Sequence, residues 1–171
     1  MVRIVAAFLA VVVAGCSTGP DAPPVTGREV ACADTVCIAY PEGWEVLEVG
    51  PDFIRFAHPA GEDVLATVAP TNLRAVVEQA GGTWPATPTA VAEAFWSLLA
   101  ETGVGELGTV EPLADGRVRS FGAYENGRMW LLLVPVDAER GIGVEVRGPN
   151  RTWESHAEVF FSDVVPVPAT G

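Results

Sequence analysis

The side chains best equipped for chemistry cluster in Glu154-Ser155-His156-Ala157-Glu158, where two carboxylates, a hydroxyl and an imidazole are close neighbours. On a helix, Glu154 and Glu158 share a face at i, i+4, while His156 points elsewhere. Ser155 lacks the Gly-x-Ser-x-Gly elbow that presents a nucleophile. The segment therefore reads as a solvated helix face. Cys32 and Cys37 could ligate a metal, form a redox pair or form a structural disulfide. Only His58 and His156 could complete a metal site, and neither has ligand spacing. A thioredoxin-like dithiol needs C-x-x-C, which is absent. Two short strands joined around Asp34-Thr35 set the cysteines opposite each other, with Cα atoms ~4.5 Å apart and within disulfide range. The structural disulfide is the expectation.

Weaker signals read as structure. Gly103-Val104-Gly105-Glu106-Leu107-Gly108 has the glycine spacing of a phosphate cradle, but it follows a helix and leads into a strand, the reverse of the required order. It reads as a helix-ending loop. His58, before Pro59, reads as a turn residue, and Asn150 in Asn150-Arg151-Thr152 as a helix cap rather than a glycosylation acceptor. Asp115, Arg117, Arg119 and Arg128 form an exposed ion-pair face, with an anion or carbohydrate contact as the functional alternative. Trp84, in the Gly- and Pro-rich loop 81–88, is the candidate contact for a ligand or partner; the alternative is a Trp folded back onto the core. Trp96 and Trp130 sit outside the apolar phase of their elements, which allows either to face solvent. No catalytic residue, metal ligand or cofactor is assigned.

The elements that must carry these residues follow from periodicity and turn chemistry. Residues 44–49 and 52–57 alternate around Gly50-Pro51 and predict a hairpin, and 63–68 predict a third strand with Val64, Ala66 and Val68 on one face. Thr71-Asn72 caps a short helix over 73–79, stopped by Gly81-Gly82. Thr87-Pro88 opens a helix over 88–102 with Val91, Phe95, Leu98 and Leu99 on its stripe, ended by Gly103. Strands over 109–113 and 117–125 flank the turn Ala114-Asp115-Gly116, and Asn126-Gly127 predicts a type I′ hairpin. The apolar run 129–136 predicts a central strand buried on both faces, and 142–147 returns beside it. Trp153, Ala157, Phe160, Phe161 and Val164 mark a closing helix, with Pro166 ending the ordered part. The fold class is α+β, a mainly antiparallel sheet packed by two amphipathic helices, in one domain over 28–166 with a disordered tail at 167–171.

Two resemblances add to this. Arg3, the apolar run 4–13 and Val13-Ala14-Gly15-Cys16 resemble the leader and lipobox of bacterial lipoproteins. The apolar run is shorter than the ~20 residues of a spanning helix. The resemblance implies cleavage after Gly15, a diacylglyceryl group and further acyl chain (palmitate-type) on Cys16, and a cell-membrane protein facing the extracytoplasmic side. Residues 16–27, polar and Pro-rich, then form a flexible tether. Tyr40-Pro41-Glu42-Gly43-Trp44, between the first strands, is similar to the opening of PsbP-like proteins, whose fold is shared with Mog-type Ran-binding proteins as an α/β/α sandwich. Small actinobacterial lipoproteins of the LpqN type look alike in layout. This scaffold implies no catalytic residues.

Charge narrows the partners. The chain has ten basic residues, all Arg, against twenty-two acidic ones, and a net charge of −12. The Arg-only usage suggests a GC-rich genome. Such a domain repels nucleic acid and anionic headgroups, so membrane attachment must come through Cys16. The expected function is a non-catalytic binding or accessory domain for an envelope protein or an apolar envelope ligand. The alternative is an envelope hydrolase using a carboxylate pair assembled by the fold.

Overall fold

The computed structural model describes residues 28–58, 61–103, 105–125, 127–149, 157–158, 160–161 and 165–167. The leader, Cys16, the tether, Asn150, Trp153, Glu154, Ser155, His156 and residues 168–171 lie outside them.

Local signals place the first elements. β1 (Arg28–Cys32) and β2 (Cys37–Pro41) form an antiparallel hairpin whose last pair is Cys32 opposite Cys37. The two are disulfide-bonded with Cα atoms 4.1 Å apart. Trp44 N–H then donates to the Pro41 carbonyl across Gly43, whose φ of 92° suits a residue without Cβ. This turn delivers β3 (Glu45–Val49), which pairs with β4 (Ile54–His58) around Gly50-Pro51. β5 (Gly61–Asn72) runs on well beyond the expected third strand, because β9 pairs with it as far as Asn72.

The helices start where their caps predict. Asn72 Oδ1 accepts from Ala75 N–H at the head of α1 (Leu73–Gln79), and Thr87 Oγ1 accepts from Ala90 N–H at the head of α2 (Pro88–Glu101), with Pro88 in its first turn. Gly103, at φ 73°, follows the C-cap of α2. A meander follows: β6 (Gly105–Pro112), β7 (Val118–Tyr124), β8 (Gly127–Pro135) and β9 (Arg140–Gly148). The stretch Gly105–Gly108, expected in a loop, is strand, because Gly105, Glu106 and Leu107 pair with β7; the register shifts between Leu107 and Thr109.

The strands form a seven-stranded antiparallel sheet in the order β3-β4-β5-β9-β8-β7-β6. β10 (Val165–Val167) joins β2 to give a small sheet ordered β1-β2-β10. β10 was not expected; Pro166 is tolerated there because β10 is an edge strand. Val167, assigned to the tail, belongs to this strand.

Each face of the large sheet buries a core. On one side Ile38, Tyr40, Trp44, Phe56, Val68, Trp130, Leu132, Val144 and Val146 pack with Ala157, Phe160 and Phe161, which are buried in the helical segment near the C-terminus. On the other, Leu73, Val77, Val91 and Ala92 of the helices cover Val118, Leu131 and Leu133. β8 is thus buried on both faces from Met129 to Val134, as its apolar run predicts. The architecture is α+β, mainly antiparallel, as expected.

The two tryptophans expected to allow a solvent-facing position are core residues, 1% exposed at Trp96 and 8% at Trp130. The buried stripe of α2 runs through Val91, Ala92 and Trp96, leaving Phe95, Leu98 and Leu99 half-buried. Trp96 enters because its indole N–H donates to Ser120 Oγ at 2.8 Å beneath the helix. Trp130 is covered by Phe161, by Phe121 stacked on it at 5.5 Å, and by the Arg119 guanidinium over its ring.

Candidate functional site

An open groove of about 440 Å³ lies where β8 ends, lined by Pro88, Asp115, Gly116, Arg117, Val134 and Pro135. Three separate stretches build it. Pro88 is the first residue of α2, and Val134 and Pro135 are the last of β8. The β6–β7 turn supplies the rest. Gly116 takes φ 84° and donates to the Leu113 carbonyl, while Leu113 N–H donates to the Arg117 carbonyl. That fold-back lets Arg117 reach Asp115 Oδ2 through Nε at 2.6 Å, and Phe161 O through Nη1 at 3.5 Å. The Arg117 backbone N–H holds the Asp115 carboxyl below the usual carboxylate range; desolvation opposes it, and the Arg117 guanidinium adds to the lowering.

The groove is therefore an apolar trough of proline and valine with one ion pair at its rim. It can seat a small apolar or extended group and orient it by one charged contact. Its lining contains no nucleophile and no imidazole. Val136, next to Pro135 in the chain, is 58% exposed.

The other expected site residues fall elsewhere. Trp84 is half-buried and packs against the cluster under α1 and α2, as in the folded-back alternative; it does not line the groove, although Pro88 from the same loop does. The Trp84–Pro85 peptide bond is cis. Of the ion-pair face, Arg117 pairs with Asp115 and Arg119 with Glu111, so the first pair borders the groove and the second lies along β6–β7. His58, expected in a turn, ends β4 with its ring 5.1 Å from Trp44. Glu158 is exposed on its helical segment. Among the described residues, no group of three or more His, Cys, Asp or Glu is placed to hold a metal ion, and no helix is long and apolar enough to cross a membrane.

Sequence reasoning missed one polar cluster. Glu145 and Arg147 sit on β9, on the sheet face shared with the helices, beside Thr67 of β5 and Tyr124 of β7. Burial pushes the Glu145 carboxyl above its ordinary value, with Arg147 opposing more weakly. The alternation of Ile142, Val144 and Val146 puts their own face on the core and Glu145 and Arg147 on the other. Nothing in that pattern signals that the second face is partly buried there as well.

No family model matches the sequence, and no curated protein does. Among solved structures, the chain is similar to the solution structure of cyanobacterial PsbP (CyanoP) from Synechocystis sp. PCC 6803. The TM-score is 0.53 at 16% identity, over 89% of this chain and 98% of that one. A crystal structure from Bacteroides thetaiotaomicron VPI-5482 matches more distantly, at TM-score 0.46 and 11% identity, over 84% of this chain and 49% of that one. At this identity the first likeness establishes a PsbP-like fold and nothing of activity.

Proposed function

We propose that this PsbP-fold chain is a cell-envelope lipoprotein, held on the extracytoplasmic side of the membrane by lipid on Cys16, whose folded domain binds a partner rather than catalysing a reaction. The observation that carries this reading is the Cys32–Cys37 disulfide, which closes the first hairpin a short distance after Cys16. Disulfides persist in oxidising compartments outside the cytoplasm. The leader-like segment 1–15 and the polar stretch 16–27 agree with that address. The groove supplies the binding surface: apolar walls and a single ion pair, with Val136 exposed next to Pro135 in the chain. A protein segment or an apolar envelope molecule fits this chemistry. The hydrolase alternative draws less support, because Asp115 is held ionised by Arg117 and the raised carboxyl, Glu145, stands beside Arg147 on another part of the molecule.

Feeding cells an alkyne-tagged palmitate tests the anchor. The wild-type chain should take up label and sediment with membranes, and Cys16→Ala should lose both. A Cys16→Ala chain that stays membrane-bound, or an unlabelled wild type, would end the lipoprotein reading. A photo-crosslinking residue at Val136 should capture a discrete envelope component that the same residue at Val30, exposed on β1, does not. Equal capture at both positions removes the groove as the binding surface.

A further inference from the structure

β1 is an outer strand of the small sheet, with β2 on one side and, among the described residues, no strand on the other. Its register with β2 is unbroken from Arg28 to Cys32. Ala33 N–H donates to the Val36 carbonyl at 2.8 Å, which makes these two a hydrogen-bonded pair. Alternation then makes Ala31–Ile38 and Glu29–Tyr40 hydrogen-bonded pairs as well, with Cys32–Cys37 and Val30–Ala39 between them. The Cα separation of 4.1 Å at Cys32–Cys37 agrees with that assignment. Val30 and Cys32 therefore turn their backbone N–H and C=O away from β2, and Glu29, Val30 and Cys32 are all exposed to solvent.

The other borders lack such a row. Ile38 spends its backbone groups on Ala31, so Cys37 and Ala39 serve β10 and bond Val167 and Val165. Pro166 is left at the outward position, where its missing N–H removes the donor. β3 and β6 each break register midway. One regular edge per chain suits a closed pair of copies related by a two-fold axis, not an open row of them.

β1 also fits its own image. An antiparallel pair centred on Val30 sets Val30 opposite Val30 of the second copy and Glu29 opposite Ala31, whereas centring on Glu29 would oppose two carboxylates. The central pair exchanges two N–H···O bonds and covers an exposed large apolar side chain. We propose that β1 is a self-association edge, where two copies join antiparallel β1 strands about Val30 and fuse their small sheets into one of six strands. Attachment through Cys16, as proposed above, favours the contact without being required for it. The two Arg28 ends of the pair stand roughly 14 Å apart. Residues 16–27, ~40 Å when extended, let both copies start from one bilayer. Confinement there raises the effective concentration of a contact between five-residue strands, which falls below the ~1,200 Å² of a standard interface. The contact is between copies, so a crosslinker at Val30 joins two chains of this protein and not the component expected at the groove.

Sedimentation equilibrium of the full chain in a density-matched detergent tests this. The net charge of −12 opposes self-contact, so the salt is set at about 0.15 M, where charges more than ~8 Å apart are screened. Wild type should pass from monomer to dimer as protein rises relative to detergent, and stop there. Val30→Pro removes both N–H donors of the central pair and no bond to β2. It should weaken the dimer about a hundredfold, tenfold for each hydrogen bond. Val30→Lys should weaken it too, by setting like charges opposite each other. Val49→Lys, on β3, should leave the dimer unchanged. Thermal melting of each variant shows that its fold is intact, and should Val30→Pro melt early, Val30→Lys decides. A wild type that stays monomeric overturns the proposal, as does growth beyond the dimer or a dimer unaltered in a folded Val30 variant. Uptake of the palmitate label reads the anchor separately, so either reading can fail without the other.

Discussion

Trp96 and Ser120 make one unit: the indole N–H reaches the Ser120 hydroxyl inside the core, and Ser120 is itself only 1% exposed. Ser120→Ala should cost about 1–3 kcal/mol, because it strands a buried donor. Trp96→Ala should cost about 3–5 kcal/mol through the cavity it leaves. Urea unfolding of the two variants gives both values, and a neutral Ser120→Ala would show that the hydrogen bond contributes nothing. Tyr40 behaves differently. Burial, followed by a 2.6 Å hydrogen bond to the Glu29 carboxylate and that carboxylate's charge, pushes its phenol up to about 12. The folded value lies above the ordinary 10, so the stability it contributes is intact below that pH and is lost as pH rises through about 12. Absorbance at alkaline pH should show one of the two tyrosines ionising only there. Glu145 follows the same sign at lower pH. Its folded value is raised above 4.5, so its contribution is full below that and lost as pH climbs through the folded value. Glu145→Gln should therefore raise the melting temperature at neutral pH and leave it unchanged in acid. Equal shifts at both pH values would place the effect in packing rather than charge.

At the scale of elements, the sequence was most legible where backbone chemistry is local. The caps Asn72 and Thr87, the stop at Gly103 and the two-sided burial of β8 all follow from neighbours in the chain. Thr87→Ala should destabilise by about 1 kcal/mol, measurable by chemical denaturation. Contacts between distant segments were not legible. The β7–β8 hairpin was expected to turn on Asn126-Gly127, but Tyr124 pairs with Gly127, and Glu125 takes the positive φ of 49°. Gly127 is needed in the strand instead, because a Cβ there would lie 2.5 Å from the Gly148 carbonyl of β9. Gly127→Ala should accordingly destabilise more than a turn substitution would, by roughly 1–3 kcal/mol. The α2 stripe was misread for a similar reason, since hydrophobic periodicity cannot register that an indole has a hydroxyl to meet across the sheet.

For the whole molecule, the fold class could be read from the order of strands and helices, and the disulfide from two cysteines set to face each other. The groove could not. Its lining comes from α2, the β6–β7 turn and the end of β8, stretches that share no motif and meet only once the meander is closed. The disulfide spans a separation of only five residues, so the chain-entropy model limits its contribution to ~2 kcal/mol. Replacing Cys32 and Cys37 together by Ser should lower the melting temperature by about 4–8 °C and leave the domain folded. A fully unfolded double variant would mean that the hairpin is organised by the bond rather than by the core beneath it.

The irregular registers of the two outermost strands bear on how copies of this chain treat one another. β3 and β6 are the free borders of the large sheet, and an exposed border with apolar side chains such as Leu47 and Val49, 50% and 51% exposed, invites a second chain to add a strand. Both borders shift register midway, between Val46 and Glu48 and between Leu107 and Thr109, and both set exposed carboxylates beside the shift, Glu45 and Glu48 on one, Glu106 and Glu111 on the other. The shift interrupts the row of backbone groups a newcomer would need, and the like charges repel an identical strand. This safeguard is partly electrical, so it weakens when the carboxylates are replaced by neutral side chains. Glu45→Gln with Glu48→Gln should raise light scattering at neutral pH above that of the wild type, and unchanged scattering would leave the register shift as the whole safeguard.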